Sequence, residues 1–197
     1  MEHTAILNYP GSKRRLIDFI YNNSKDLIDT NKIILDIFSG TGCVAQFYKN
    51  QGFKVVTNDT EIYSYHIANA ILNGFDKTLF NIEDFKNNIS HNQNQLFKIF
   101  QSELDIEKKL IQETSHKLTD FDDTLPKIFN LKRPFSINGI VINGIDDLNI
   151  HISEIPFCLF TLYYSGSYFG LLQSIAIDSI RYAIEKTDKN IKSVLLT

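Results

Sequence analysis

The sequence predicts an α/β fold that opens as a doubly wound, mostly parallel sheet and carries a mainly helical insertion. Three observations predict it. Two short aliphatic runs, Ile33 to Phe38 and Phe53 to Asn58, are separated by glycine-bearing and amphipathic residues. The first run leads into Ser39-Gly40-Thr41-Gly42, at the strand end where such sheets bind ligands. From residue 80 to 118 the chain turns polar, and its apolar residues recur at helical spacing.

A helix is expected over residues 12 to 28, with Ser12 as N-cap and Ile17, Ile20, Tyr21, Ser24 and Ile28 in phase. The run Ile33-Ile34-Leu35-Asp36-Ile37-Phe38 is nearly all aliphatic, which suits a strand buried on both faces of a parallel sheet. A second helix runs through about Asn50 and stops at Gly52, and residues 53 to 58 form the next strand. A third helix spans Thr60 to about Asn73, with Tyr63, Ile67, Ala70 and Ile71 on one face and Asn73-Gly74 as its stop.

In the polar stretch, Phe97, Phe100, Leu104 and Ile111 form the expected buried stripe, and residues 119 to 134 read as irregular. Asn138-Gly139 and Asn143-Gly144 signal hairpin turns. Alternation at Leu148, Ile150 and Ile152 predicts a short strand. An aromatic, glycine-bearing segment follows (Phe157, Phe160, Tyr163, Tyr164, Tyr168, Phe169), then a long helix to about Lys186 with Ala176, Ile180, Ala183 and Ile184 aligned. Ser193 to Thr197 reads as the first turn of a further buried helix. The expected division is 1–78, 79–165 and 166–197. No internal repeat or low-complexity segment interrupts it.

Composition bounds the function. With 197 residues, 43% hydrophobic and 22% charged, the chain is long enough for a real core and too apolar for wholesale disorder. No run approaches the ~20 apolar residues that span a bilayer. The N-terminus lacks the basic-then-apolar layout of a signal peptide. Two cysteines, Cys43 and Cys158, make neither a disulfide framework nor a metal-site spacing. The expectation is a cytoplasmic protein with no metal and no membrane partner. A net charge of −3 argues against non-specific coating of nucleic acid, while leaving room for a local basic face.

The segment Asp36-Ile37-Phe38-Ser39-Gly40-Thr41-Gly42 carries the functional argument. Glycines let backbone approach a ligand closely. Asp59, 17 positions after Gly42, falls at the end of the second run, where a carboxylate can accept hydrogen bonds from both ribose hydroxyls of a nucleoside. Taken alone it could be a helix N-cap for Thr60 onward, and the combination with the glycine loop is the stronger signal. Position 45 is Ala and Asp36 opens the motif, which does not suit a pyrophosphate. A carboxylate there suits a cationic or amino-bearing ligand such as S-adenosylmethionine.

These residues resemble the Dam-like, alpha-group adenine-specific DNA methyltransferases. Asn8-Tyr9-Pro10-Gly11-Ser12-Lys13 is similar to the family's N-terminal motif that closes over the cofactor. Asp36 to Gly42 is similar to its Asp-x-Phe-x-Gly-x-Gly loop, and Asn58-Asp59 to its ribose-binding step. Tyr168-Phe169-Gly170 through Arg181 also resembles a segment of this group. The resemblance implies a Rossmann-like methyltransferase fold, here incomplete, in which S-adenosylmethionine donates a methyl group to the exocyclic amine of adenine in double-stranded DNA, within a restriction-modification system. It implies that Tyr9 and Lys13 contact the methionine or adenine part, that Asp36 with the Gly40 to Gly42 backbone holds the amino-acid end, that Phe38 packs beside the cofactor, and that Asp59 binds the ribose. By motif order, residues 80 to 165 would overlap the target-recognition segment.

The family's catalytic Asp-Pro-Pro-Tyr motif does not occur here, since the four prolines (Pro10, Pro126, Pro134, Pro156) are never adjacent. In that motif a carboxylate and a proline carbonyl accept the two amine hydrogens and free the lone pair, while the aromatic ring stacks on the flipped base. No catalytic residue is therefore assigned, and the expectation is an inactive or nearly inactive chain, either incomplete or one half of an enzyme whose second polypeptide supplies the motif. A non-catalytic cofactor-binding subunit, an RNA or small-molecule methyltransferase and a nucleoside-sensing module stay open. So do two readings each for several side chains. Lys13, Arg14 and Arg15 are solvated charges or phosphate contacts. Phe38 is a cofactor or a core residue. The aromatic segment is core rather than a base-stacking platform, Asp178 and Arg181 form a structural or surface pair, Cys43 is a small helix residue, and His66 lies on the surface.

Overall fold

The computed structural model describes residues 11–29, 31–74, 76–114, 135–143, 145–151, 153–166 and 168–197. Tyr9, Gly144, Ile152 and the stretch 119–134 lie outside them. The elements are α1 (Ile17–Ser24), β1 (Ile33–Asp36), α2 (Cys43–Asn50), β2 (Lys54–Thr57), α3 (Ile62–Asn73), α4 (Ile82–Ile99), α5 (Gln101–Thr114), β3 (Phe135–Ile137), β4 (Ile140–Ile142), α6 (Ile145–Ile150), α7 (Leu159–Tyr163), α8 (Leu171–Glu185) and α9 (Lys189–Leu195). The chain divides into two compact units, Met1–Phe80 with Thr187–Thr197, and Asn81–Lys186. The architecture is mixed helix with small sheets.

In the first unit the expected helix over 12 to 28 is three pieces: 3-10 turns at Lys13–Leu16 and Lys25–Leu27 flank α1. Ser12 caps the start by accepting from the Arg14 N–H. Near the other end, the Asn23 amide and the Ser24 hydroxyl donate to the carbonyls of Phe19 and Tyr21. Such side-chain bonds compete with continued helix. β1 and β2 pair in parallel, with Ile34 opposite Val55 and Asp36 opposite Thr57. Ile34 and Val55 join Ile17, Phe47 and Tyr48 in the core. The expectation of a strand buried on both faces fails: Ile33, Leu35 and Val56 stay exposed, Leu35 by 59%. Among the described residues the sheet has two strands, and its cover lies on one face, so the second aliphatic face has nothing to pack on.

The final segment also differs from expectation. Ser193 to Leu195 is the end of α9, not a first turn, and Asp188 caps that helix by accepting from Asn190 N–H. α9 packs on α3, where Ser193 Oγ accepts from Asn69 Nδ2 at 2.9 Å and lies 3.1 Å from His66 Nδ1. His66 is therefore half-buried against α9 rather than on the open surface. Lys49 Nζ closes the end of α3 through the carbonyls of Ile71 and Leu72.

The second unit is built around Leu96, Phe100, Leu104, Ile137, Ile142, Ile155, Leu171 and Ile175. Asn81 caps α4 through the N–H groups of Glu83 and Asp84. The buried stripe holds at Phe100 and Leu104 but not at Ile111, which is half exposed, and one turn before it on the same face of α5 sits buried Glu107. Its oxygens accept from the N–H groups of Leu171 at 2.7 Å and Leu172 at 3.0 Å, so the first turn of α8 is capped from a neighbouring helix. Fully buried Asn92 holds the Phe157 backbone through both its donor and its acceptor. The Asn138-Gly139 turn closes β3 onto β4 with both residues at positive φ, as a two-residue hairpin of this hand requires. The strand expected near Leu148 is instead α6. Asp147 reaches back to the Asn143 N–H at 2.9 Å and closes a first turn that also carries Asp146.

Asp178 and Arg181 do not form a pair. Asp178 is fully buried on the inward face of α8 and accepts from Phe160 N–H, Thr161 N–H and Thr161 Oγ1 at 2.7–2.9 Å. Burial pushes its carboxyl up to about 6 against those three bonds. Arg181 pairs with Glu185 at 2.6 Å.

Gly170 leaves no room for a side chain, since a Cβ there would stand 2.7 Å from Glu107 Oε1. Gly170→Ala is expected to lower stability by about 1–3 kcal/mol in urea unfolding. In a Glu107→Ala background the same change should cost much less, because the obstructing oxygen is gone. Simple additivity of the two changes would show that the contact does not constrain Gly170.

Candidate functional site

A cleft of about 210 Å³ opens at the end of β1, lined by Gly11, Ser12, Lys13, Asp36, Phe38, Ser39, Gly40, Thr41, Cys43 and Val44. The chain folds this way because the two strands end together. Asn58 N–H donates to the Asp36 carbonyl at 2.8 Å and Ser39 N–H to the Asn58 carbonyl at 3.2 Å, which carries the pairing past the last ladder residues. The loop then turns at Gly40 (φ 51°) and Gly42 (φ 70°) into α2.

The two glycines serve different ends. A Cβ at Gly40 would meet nothing within 4 Å, so this residue supplies the left-handed turn and an open wall of the cleft. A Cβ at Gly42 would stand 3.3 Å from Ile71 Cδ1, so Gly42 lets α3 pack closely and does not line the cleft.

Asp36 is half-buried at the cleft floor. Burial raises its pKa above the ordinary value, against the Lys13 ammonium and the N–H groups of Phe38 and Ala45, with a smaller upward push from the Asp59 carboxylate. Asp59 is the reverse case. Its Oδ2 accepts from Gly40 N–H at 2.8 Å and its Oδ1 from Glu61 N–H at 3.1 Å, and these bonds hold its pKa below the ordinary value. It therefore braces the glycine loop from the second strand and is not among the lining residues. It does not cap α3 directly, because the N-cap position is Glu61.

Phe38 is 72% exposed, which overturns the core reading and places the ring at the cleft. Lys13 lines the same cleft from the 3-10 turn that Ser12 caps. Of the residues expected from sequence, Lys13, Asp36, Phe38 and Gly40 come together; Gly42 and Asp59 support the loop from behind; Tyr9 is outside the described residues. Ser12, Ser39 and Thr41, which stand inside the two quoted motifs, also line the cleft, and sequence reasoning gave no cofactor role to Val44 or Cys43, which line it too. Cys43 opens α2 and faces Ser12 Oγ at 4.0 Å across the cleft. Its place directly after Gly42 was the signal available.

On one side of the same loop lies an apolar groove of about 290 Å³ between α1 and β1, to which Ile20, Ile28, Ile34, Leu35 and Ile37 contribute. Among the described residues no three His, Cys, Asp or Glu side chains cluster for a metal, and no helix is long and apolar enough to cross a membrane.

Residues 9–143 match the family model for D12 class N6 adenine-specific DNA methyltransferase. The chain belongs to this D12 family. A stretch of 62 residues is also 34% identical to the Type II methyltransferase M.NlaIII of Neisseria lactamica, covering 30% of this chain and 19% of that protein. No solved structure matches the chain. The D12 match takes in the glycine loop, Asp36 and Asp59, so the cleft lies within the segment that defines the membership.

The raised pKa of Asp36 has a stability consequence with a definite sign. The folded state holds the proton more tightly than the unfolded state. Asp36 therefore contributes stability at low pH that is lost as pH rises from the ordinary value near 3.8 through the raised one. Asp36→Asn is expected to melt at a higher temperature than wild type at neutral pH, with the gap closing below about pH 4. Melting curves that coincide at neutral pH, or that favour wild type, would contradict this electrostatic reading.

Proposed function

We propose that the cleft at the end of β1 binds S-adenosylmethionine and serves N6-adenine methylation of double-stranded DNA in a restriction-modification system. The observation that carries the reading is the half-buried Asp36 carboxylate, costly to ionise in an empty site and facing a wall left open at Gly40. Such a carboxylate is stabilised by an arriving cation, and the amino and sulfonium groups of this cofactor are both cationic. The donor set fits in other respects. Lys13 supplies a positive charge for the ligand's carboxylate, exposed Phe38 supplies a flat apolar face, and Asp59, to which the family resemblance assigns the ribose, holds the loop. The D12 membership and the Type II relative support DNA adenine and the restriction-modification setting. On this reading β1, α2, β2 and α3 are the opening of a Rossmann-like sheet, and residues 79–165 include the target-recognition segment.

When bound, the cofactor would supply a sulfonium methyl group, whose carbon a nucleophile attacks as the C–S bond breaks and a neutral thioether leaves. This chain's residues bind and orient it. Asp36 accepts from the amino group, the Gly40 backbone lets that end approach, and Phe38 limits water at the open side. The family's Pro-Pro catalytic step does not occur in these 197 residues. They are expected to bind the cofactor, and not by themselves to transfer tritiated methyl groups to DNA.

Calorimetry tests the binding claim. Asp36→Ala should weaken S-adenosylmethionine binding by about ten-fold or more, a loss of ~1.4 kcal/mol or more for an ion pair in a half-buried site. Asp59→Ala should weaken it as well, by releasing Gly40. Wild-type affinity in both variants would remove the site. A second readout needs no turnover. Cys43 lines the cleft, whereas Cys158 is buried with its thiol pushed up to about 12. A thiol reagent should therefore modify Cys43 first, and the cofactor should slow that reaction. Modification of Cys43 at the same rate with saturating cofactor would place the ligand elsewhere.

A further inference from the structure

The inward face of α3 carries Ser64, Ile67, Ala68 and Ile71, one stripe at helical spacing. Two of its apolar members reach the glycine loop: a Cβ at Gly42 would meet Ile71 Cδ1 at 3.3 Å and Ile67 Cγ2 at 3.9 Å. Ser64 stands on the same face, one turn nearer the start of the helix, and is fully buried. Alanine would fill that place without a polar atom, so the hydroxyl calls for a reason.

The helix itself supplies none. A buried helical serine can donate to the carbonyl of the preceding turn, as Ser179 does to Ile175 and Ser193 to Lys189. Ser64 lies in the first turn of α3, after the N-cap Glu61, and its Oγ makes no hydrogen bond of ordinary length among the described residues. It does act on the Asp59 carboxylate. The N–H groups of Gly40 and Glu61 hold that carboxyl below its ordinary value, against some desolvation, and Thr60 N–H and the Ser64 hydroxyl pull the same way. In a site that excludes water, a hydroxyl dipole acts on a charge beyond normal bond length.

The orientation of Asp59 matters because both its oxygens are in use. Oδ2 accepts from Gly40 N–H at 2.8 Å and Oδ1 from Glu61 N–H at 3.1 Å, and turning the side chain would break both bonds. Gly40 has no side chain with which to pack, so the Asp59 bond is what restrains its N–H. A buried donor on a packed helix favours the one rotamer that keeps the two bonds. Neither Ser64 nor Asp59 lines the cleft, so any effect of Ser64 on a ligand passes through the loop.

We propose that Ser64 is a positioning residue: its hydroxyl holds Asp59 in the rotamer that braces Gly40, and through that brace it raises the affinity of the cleft for S-adenosylmethionine. The effect on the cofactor rests on the function inferred above, whereas the brace does not.

The test compares wild type with Ser64→Ala and Ser64→Cys, whose thiol fills the place of the hydroxyl but donates weakly. Carboxyl-carbon NMR should show the Asp59 pKa rising toward the ordinary value in both variants. Amide exchange at Gly40 should quicken about three-fold, as for the loss of one weak hydrogen bond. Calorimetry should find S-adenosylmethionine bound about three-fold more weakly by both, with no further loss when Ser64→Ala is added to Asp59→Ala. Melting temperatures should stay close to that of wild type, since a poorly partnered buried hydroxyl adds little stability. An unchanged Asp59 pKa, unchanged exchange at Gly40, wild-type behaviour in Ser64→Cys, or an affinity loss that adds in full to that of Asp59→Ala would each overturn the proposal. A marked fall in melting temperature would do so too, by making the residue a structural one. The two readings fail separately. If wild type gives no cofactor heat, the function proposed above falls, and the Asp59 and Gly40 measurements alone decide the brace. If wild type and Ser64→Ala bind the cofactor equally, that function stands and the role of Ser64 toward the cofactor is overturned.

Discussion

The arrangement at the end of β1 depends on one constraint: Asp36 must serve the sheet with its backbone and the cleft with its side chain. Its position opposite Thr57 and the bond from Asn58 N–H fix its backbone as the last rung of the ladder. The side chain is left half-desolvated among Lys13, the loop amides and the wall of α2. A carboxylate in that position costs free energy when ionised without a partner, and the fold tolerates the cost because neighbouring donors offset part of it. The same imbalance is what an incoming cation relieves.

The glycine loop makes that geometry available. Its two glycines divide the work: one opens the cleft wall, and the other admits Ile71 and Ile67 of α3 against the loop's rear. Asp59 closes the system from β2 by holding Gly40 N–H, so two adjacent strand ends and one helix converge on four loop residues. This explains how a carboxylate can matter to a ligand site without lining it. The second unit uses acids in a related way. Glu107 and Asp178 are buried not to meet a ligand but to satisfy helix N-termini that the chain's own caps leave open.

Much of this was legible in the sequence where the cause is local. The aliphatic run expected from Ile33 to Phe38, of which Ile33–Asp36 is β1, and the Gly40-Thr41-Gly42 loop mark a strand, a turn and a helix by short-range rules, and Asn138-Gly139 encodes its own hairpin. Lys13, Asp36, Phe38 and Gly40 could be collected because two separate motifs, residues 8–13 and 36–42, resemble those of the family. What failed depends on distant partners. Alternation at Leu148 and Ile150 suggested a strand, but Asp147 reaching Asn143 favoured a helix. A buried acid on the apolar face of α5 was not foreseen, because the partners that hold Glu107 there are 64 and 65 residues away. Asp178 looked like half of a surface pair until its three donors from residues 160 and 161 were in view. The bracing role of Asp59 was hidden for the same reason, since its partner Gly40 lies across a strand pair.

The central claim is that a desolvated Asp36 carboxylate is the feature that a cationic nucleoside cofactor relieves. The most direct measurement is the pKa of the Asp36 side chain by carboxyl-carbon NMR, with and without saturating S-adenosylmethionine. The account predicts a value above the ordinary carboxylate range in the free protein and a marked fall on binding. A free-state value at or below the ordinary range, or one that the cofactor leaves unchanged, would contradict it.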